Sequence, residues 1–375
     1  MTDRRGFIKG AAYGGLVFCG CGAPSARAQQ AADPNSYRYE GFGTKHAPVM
    51  VAGKRVKVID VHSHCWFRDA NALFQRKVDQ PVKGAPEFYL TDDAAATKVR
   101  LDTMDAMGVD MEVLSINPVW YTYERDVCEK IISLQNQHLS ELCQSHPKRF
   151  SAFASLALNH PDLAVQQLEA AMKLPGIRGA AIGGSVAGVD FSDPKFHPVW
   201  AKAEQLNAVL FIHPQSTPQL AARFKGNGWL ANTIGNPLDT TIALQHLIFD
   251  GTLDKFPGLK VIAAHGGGYL GSYAPRDNHS CFVSPANCNP DIKLKKKPTE
   301  YLKQLHFDAL VFTSEALRHL VAEVGASQIM VGTDCPIPWE QHPVEHIMGT
   351  ESLTNAQRAA ILGGNAAKLL RIKDI

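Results

Sequence analysis

Between Val56 and Leu370, short apolar runs alternate with helix-like segments about eight times, and this alternation limits the possible folds more than any other feature of the chain. The runs predict strands at Val56–Val61, Met111–Ile116, Phe150–Leu156, Ile177–Ile182, Val209–His213, Leu259–Ala264, Leu305–Asp308 and Gln328–Gly332. They are short and nearly continuous in apolarity, as suits parallel strands buried on both faces. Helical spacing covers Asp93–Met107 before Gly108, Asp126–His146 before Pro147, Pro161–Leu174 before Pro175-Gly176, Pro198–Leu206, Pro237–Asp250, Ser314–Val324 and Thr354–Leu370. Pro in a first turn and Gly just past a last turn are ordinary helix ends. Repeated strand–helix units predict an α/β chain folded as a single (β/α)8 TIM barrel. An open doubly wound sheet usually carries a Gly-rich first turn, and no G-x-G-x-x-G follows the first strand.

The first residues read as an address rather than as fold. Arg4-Arg5 precedes Gly6-Phe7-Ile8-Lys9, a short apolar segment runs from Gly10 to about Gly20, and Ala26-Arg27-Ala28 fits a cleavage site. Residues 1–28 are therefore expected to be a twin-arginine signal, with a periplasmic or secreted product. Residues 29–54 read as a linker and N-terminal arm, and 55–375 as the catalytic domain. A net charge of +2 gives no basic field for nucleic acid. Beyond the signal, no apolar stretch reaches the roughly 18 residues of a membrane span. Six cysteines lie outside the signal, too few for a disulfide scaffold in a chain of this size. Cys281 and Cys288 flank a short loop and are the best candidates for one bridge.

Chemistry collects at the strand ends. The first strand ends in Asp60-Val61-His62-Ser63-His64, and two His two residues apart share one side of an extended chain. The fifth strand runs into His213-Pro214, the sixth into His265-Gly266-Gly267-Gly268 and the eighth into Asp334. Barrel enzymes place their chemistry at these C-terminal ends. His62, His64, His213, His265 and Asp334 thus gather where one divalent metal ion is expected. Three imidazoles and a carboxylate suit Zn2+, while ligand type alone leaves Mn2+ and Fe2+ open. The fourth strand carries no Lys at its end, which argues against a second metal bridged by a carboxylated Lys.

These motifs resemble the decarboxylase-type branch of the amidohydrolase superfamily, and most of all the aminocarboxymuconate semialdehyde decarboxylase family. The likeness spans about Val56 to Leu370 and rests on Asp60-Val61-His62-Ser63-His64, Met107-Gly108-Val109-Asp110, His146-Pro147-Lys148-Arg149-Phe150, Phe211-Ile212-His213-Pro214, Phe256-Pro257-Gly258, Ala264-His265-Gly266-Gly267-Gly268, Gly332-Thr333-Asp334 and Gly364-Asn365-Ala366. The resemblance implies that His62, His64, His213 and Asp334 are metal ligands and that His265 is the catalytic acid–base, with Asp334 assisting. It implies that Arg100 binds a substrate carboxylate. Arg276, eleven positions beyond His265, would be a second such arginine, donated by the neighbouring subunit of a homodimer. The chain departs from that pattern where Gln215-Ser216 follows His213-Pro214 in place of a Trp, and in the turn Cys335-Pro336-Ile337-Pro338-Trp339.

The expected function is metal-dependent, non-oxidative decarboxylation of an aromatic or unsaturated carboxylic acid, with a small-molecule carboxylate as substrate. The alternative is hydrolysis of a lactone, ester or amide on the same site, since a metal-activated water can attack a carbonyl. A metal-retaining protein without turnover would have no need of His265.

Overall fold

The computed structural model describes residues 41–74 and 93–373. Eight parallel strands form one sheet: β1 Ile59–His64, β2 Met111–Ser115, β3 Phe150–Ala154, β4 Ile177–Ile182, β5 Val209–Ile212, β6 Lys260–Ala263, β7 Leu305–Asp308 and β8 Ile329–Met330. Each strand pairs with the next in chain order, from β1 to β8. The ends meet through a parallel bridge between Asp60 and Val331, with the Val61 N–H donating to the Val331 carbonyl at 3.0 Å. The sheet is thus a closed barrel, as the alternation predicts.

Seven main helices wrap it: α1 Ala94–Met107, α2 Arg125–Ser145, α3 Pro161–Ala171, α4 His197–Gln205, α5 Gly235–Phe249, α6 Leu270–Val283 and α7 Ser314–Val324. Helix ends follow local chemistry. The Asp93 carboxylate caps α1 by accepting the Ala95 N–H, and Gly108 at φ 73° closes it. The barrel interior is filled by Ile59, Val61, Val113, Phe153, Phe211, Ile262 and Met330, packed as one buried cluster. A second, larger cluster fills the layer between strands and helices.

Three features differ from the sequence reading. Helix α6 was not anticipated, because its Gly-rich approach and internal Pro275 obscure the helical pattern. The segment Thr354–Leu370 is not one regular helix. Two short α-helices, Asn355–Ala359 and Asn365–Leu370, flank a π turn at Ala360–Gly364. A Cβ at Gly363 would stand 2.1 Å from the Lys57 carbonyl oxygen, so close backbone contact accompanies the wider turn. The arm also contains structure: Met50–Val51 pairs with Lys54–Arg55 as a hairpin, and Val49 and Val51 are buried. The expected signal at 1–28 lies outside the described residues. Among the described residues no helix is long and apolar enough to cross a membrane. Cys281 and Cys288 are disulfide-bonded, as their spacing suggested.

Candidate metal centre

The centre is built by β1 and the residues that follow β5, β6 and β8. Pairing between β1 and β2 shifts register between Asp60 and Ser63, a bulge that re-aims the side chains of the strand end. His62 consequently packs on the Phe211 ring inside the barrel, with ring centroids 5.1 Å apart. Phe211 in turn stacks on Phe153. These aromatic rings form an apolar floor beneath the imidazoles.

Four expected residues converge above that floor. Asp334 Oδ1 lies 2.9 Å from His64 Nε2, 3.2 Å from His62 Nε2 and 4.0 Å from His213 Nε2. Asp334 Oδ2 lies 3.7 Å from His265 Nε2. One ligating atom from each of His62, His213, His265 and Asp334 falls within 4.8 Å of the others. That group takes in His265, expected beside the ion rather than as a ligand, and leaves out His64, an expected ligand, which meets it through Asp334 Oδ1. His62, His64, His213 and Asp334 are buried, and His265 is partly open.

The donor set fits a divalent cation. His62 Nε2, His64 Nε2, His213 Nε2 and Asp334 Oδ1 are buried without hydrogen-bond partners among the described residues. Polar atoms in that condition are costly unless something binds them, and a cation shared by all four would satisfy each lone pair. The charges within the cluster are strongly coupled. Burial opposes charge on both partners, yet the Asp334 and Asp308 carboxylates push the His62 imidazole up to about 10. The charge of His62 and the contacts with His265 and His64 hold Asp334 well below its ordinary value despite its burial. Burial and the neighbouring His64 and His62 keep His213 well below its ordinary value, in the neutral form that a metal requires.

Asp308, at the end of β7, was missed by sequence reading. Its Oδ2 accepts from His62 Nδ1 at 2.6 Å and from the His265 N–H at 2.9 Å, while Oδ1 accepts the N–H groups of Gly266 and Leu310. One carboxylate therefore fixes the His62 tautomer and the loop that carries His265. The signal was available, since β7 ends in an acid as β8 runs into one. Asp60 performs a similar service, accepting from the His62 N–H and from Thr333 to join β1 to β8. Burial and the nearby Glu112 push its carboxyl up to about 8.

The two chemical loops are tightly specified. His265 has φ 56° and Asp334 φ 62°, a left-handed conformation unusual for residues with side chains. Gly266, Gly267 and Gly268 continue at positive φ, and a Cβ on Gly268 would lie 2.0 Å from the Pro237 carbonyl oxygen. Only Gly permits this path, which explains the triple glycine after His265.

The two arginines are placed differently from each other. Arg100 is fully buried against β1, donating to Ser63 Oγ and the His64 carbonyl and lying 3.6 Å from Glu112 Oε1. Its guanidinium is engaged by protein groups at the His64 end of β1. Arg276 is exposed on α6, away from any ion pair among the described residues.

A cavity of about 780 Å3 opens over the centre. His213 and Asp334 form part of its wall, together with Trp66, Tyr121, Trp229 and Ile337. A smaller cavity of about 390 Å3 reaches His265 beside Phe312 and Trp339. Trp229 stacks on Trp339 with centroids 5.8 Å apart, so the two spaces adjoin.

Comparison with known proteins agrees with this geometry. Residues 59–372 match the family model described as amidohydrolase. The chain is 31% identical over 330 residues to 2-amino-3-carboxymuconate-6-semialdehyde decarboxylase of Dictyostelium discoideum, covering 86% of this chain and 81% of that one. It is 29% identical over 290 residues to gamma-resorcylate decarboxylase of Rhodococcus jostii, covering 73% and 87%. Among solved structures, a dihydroxybenzoic acid decarboxylase from Polaromonas sp. JS666, with bound manganese and 2-nitroresorcinol, superposes with a TM-score of 0.72 at 25% identity, over 85% of this chain and 98% of that one. With barrel closure, strand-end His and Asp residues and a family match across nearly all described residues, the chain belongs to the amidohydrolase family.

Proposed function

We propose that this protein is a metal-dependent carboxy-lyase that removes CO2, without oxidation, from an aromatic or unsaturated carboxylic acid. The observation that carries this reading is the cluster of His62, His64, His213 and Asp334, of which His213 and Asp334 line a cavity walled by Trp66, Tyr121 and Trp229, large enough for a substituted ring. The relatives named above are decarboxylases, which favours this reading over hydrolysis.

His62, His64, His213 and Asp334 would hold the ion, with Zn2+ and Mn2+ both compatible with this donor set. When bound, a divalent ion supplies a Lewis acid that polarises substrate oxygen atoms. The aromatic walls orient the ring and exclude water. In the reaction the bond between ring carbon and carboxylate breaks, its electron pair stays on the carbon, and CO2 leaves. That carbon must gain a proton. His265 Nε2, 3.7 Å from Asp334 Oδ2 and open to a cavity, would deliver it.

The test is to load the protein separately with Zn2+ and Mn2+, supply hydroxybenzoic and muconic acids, and follow CO2 together with acid release from lactones and esters. CO2 formation that stops with chelator supports the reading. Ester or lactone cleavage with no CO2 from any acid overturns it in favour of the hydrolase alternative.

Homodimerisation and export belong to the same proposal. Arg276 shares α6 with Tyr273, Phe282 and Val283, apolar side chains that are 60%, 84% and 74% exposed, as a subunit contact would require. Sedimentation of the protein and of its Arg276→Glu variant tests this. The Cys281–Cys288 disulfide suits an oxidising compartment reached by the twin-arginine route. Replacing Arg4 and Arg5 by Lys should retain the chain in the cytoplasm, and unchanged fractionation would refute export by that route.

A further inference from the structure

The wall of the large cavity contains a carboxylate that the mechanism above does not use. Asp239 projects from α5 and is 6% exposed. Its Oδ2 accepts the Gln215 N–H at 3.1 Å, and Oδ1 receives no hydrogen bond from the described residues. No Lys or Arg among the described residues lines the cavity. The carboxylate presses on the loop after β4, because a Cβ at Gly184 would meet its Oδ2 at 2.1 Å and its Oδ1 at 2.8 Å. Glycine at 184 therefore makes the space that the carboxylate fills. The loops after β4 and β5 converge on this one side chain, at the place where Gln215-Ser216 follows the metal-site His213-Pro214.

A buried carboxylate with one backbone donor and no cation is costly to hold. Burial and the nearby Asp190 push its carboxyl up to about 6, outweighing the Gln215 hydrogen bond. A ligand donor that reaches the free oxygen would relieve that cost. The same charge repels a second carboxylate. The acid group of a substrate is thus turned away from α5, toward the His and Asp cage.

We propose that Asp239 is a specificity-determining residue whose carboxylate accepts a hydrogen bond from a hydroxyl or amino substituent of the substrate. This rests on the decarboxylase reading for its biological meaning. Ring compounds that carry a donor are selected over otherwise similar compounds that carry none, since a site built around an acceptor penalises a ligand that leaves it unpaired.

The experiment measures binding, so it does not depend on turnover. Resorcinol and 1,3-dimethoxybenzene are titrated calorimetrically into the manganese-loaded full-length protein, its Asp239→Asn variant and its Gly184→Ala variant. Asn keeps an acceptor for Gln215 while offering the cavity a donor. Ala at 184 displaces the carboxylate from the opposite side, which keeps the test decisive if the Asn variant folds poorly. The wild type is expected to prefer resorcinol by roughly tenfold or more, and each folded variant to bring the two compounds near parity. Equal wild-type affinities, no wild-type binding of resorcinol, or an undiminished preference in the variants overturns the proposal. Failure of the decarboxylase reading shows itself separately, as absence of CO2 from every acid.

Discussion

His62 Nδ1 stands 2.6 Å from Asp308 Oδ2, and that same oxygen receives the backbone N–H of His265 at 2.9 Å. A single carboxylate at the end of β7 therefore aims a proposed metal ligand and sets the loop of the proposed proton donor. Partners of this kind sharpen both tautomer and basicity of a ligating imidazole.

Asp308→Asn should weaken metal binding by about 10- to 100-fold. Asn keeps one acceptor oxygen, but its amide nitrogen opposes the N–H donors that face the oxygen it replaces. Competition against a chromophoric chelator measures the change. Wild-type affinity in this variant would show that Asp308 does not orient His62.

His265→Ala should leave about one ion per chain while lowering turnover by about 10²- to 10⁴-fold. His62, His64, His213 and Asp334 remain to hold the ion. Elemental analysis after dialysis, run beside CO2 release, separates the outcomes. Loss of the ion would make His265 a ligand instead of a proton donor.

Metal uptake should release protons, and affinity should rise with pH. His62 is pushed up to about 10 in the absence of an ion, so at neutral pH it carries a proton that an ion must displace. A raised histidine pKa stabilises the metal-free fold fully below about 6.5 and loses that contribution as pH climbs through about 10. The gap in melting temperature between loaded and metal-free protein should therefore widen between pH about 6.5 and 9. A constant gap would contradict this assignment.

Arg100→Met should cost stability on the order of 3–5 kcal/mol, because Glu112 would be left buried without its cation. Urea denaturation measures it. If Arg100 gripped the substrate directly, the variant would instead keep its stability and show a raised KM.

The order of the fold was legible in the sequence because each β/α unit carries its own hydrophobic period and its own Pro or Gly punctuation. Ile177–Ile182, Leu305–Asp308 and Ser314–Val324 have the bounds that their patterns predict. The candidate ligands were legible too, since strand direction and the barrel rule place His62, His64, His213 and Asp334 at one rim. Helix α6 was hidden because Pro275 and the preceding glycines contradict helix propensity, and packing against the barrel overrides that local preference.

What the tertiary structure alone decided are relations between residues far apart in the chain. Asp308 meets His62 across 246 positions, Arg100 lies against Glu112, and Asp239 meets Gly184 in the cavity wall. No local pattern encodes these pairings. Hydrophobic periodicity records which face of an element is buried, whereas the partner of a buried charge is set only when closure of the barrel brings distant strand ends and helices together.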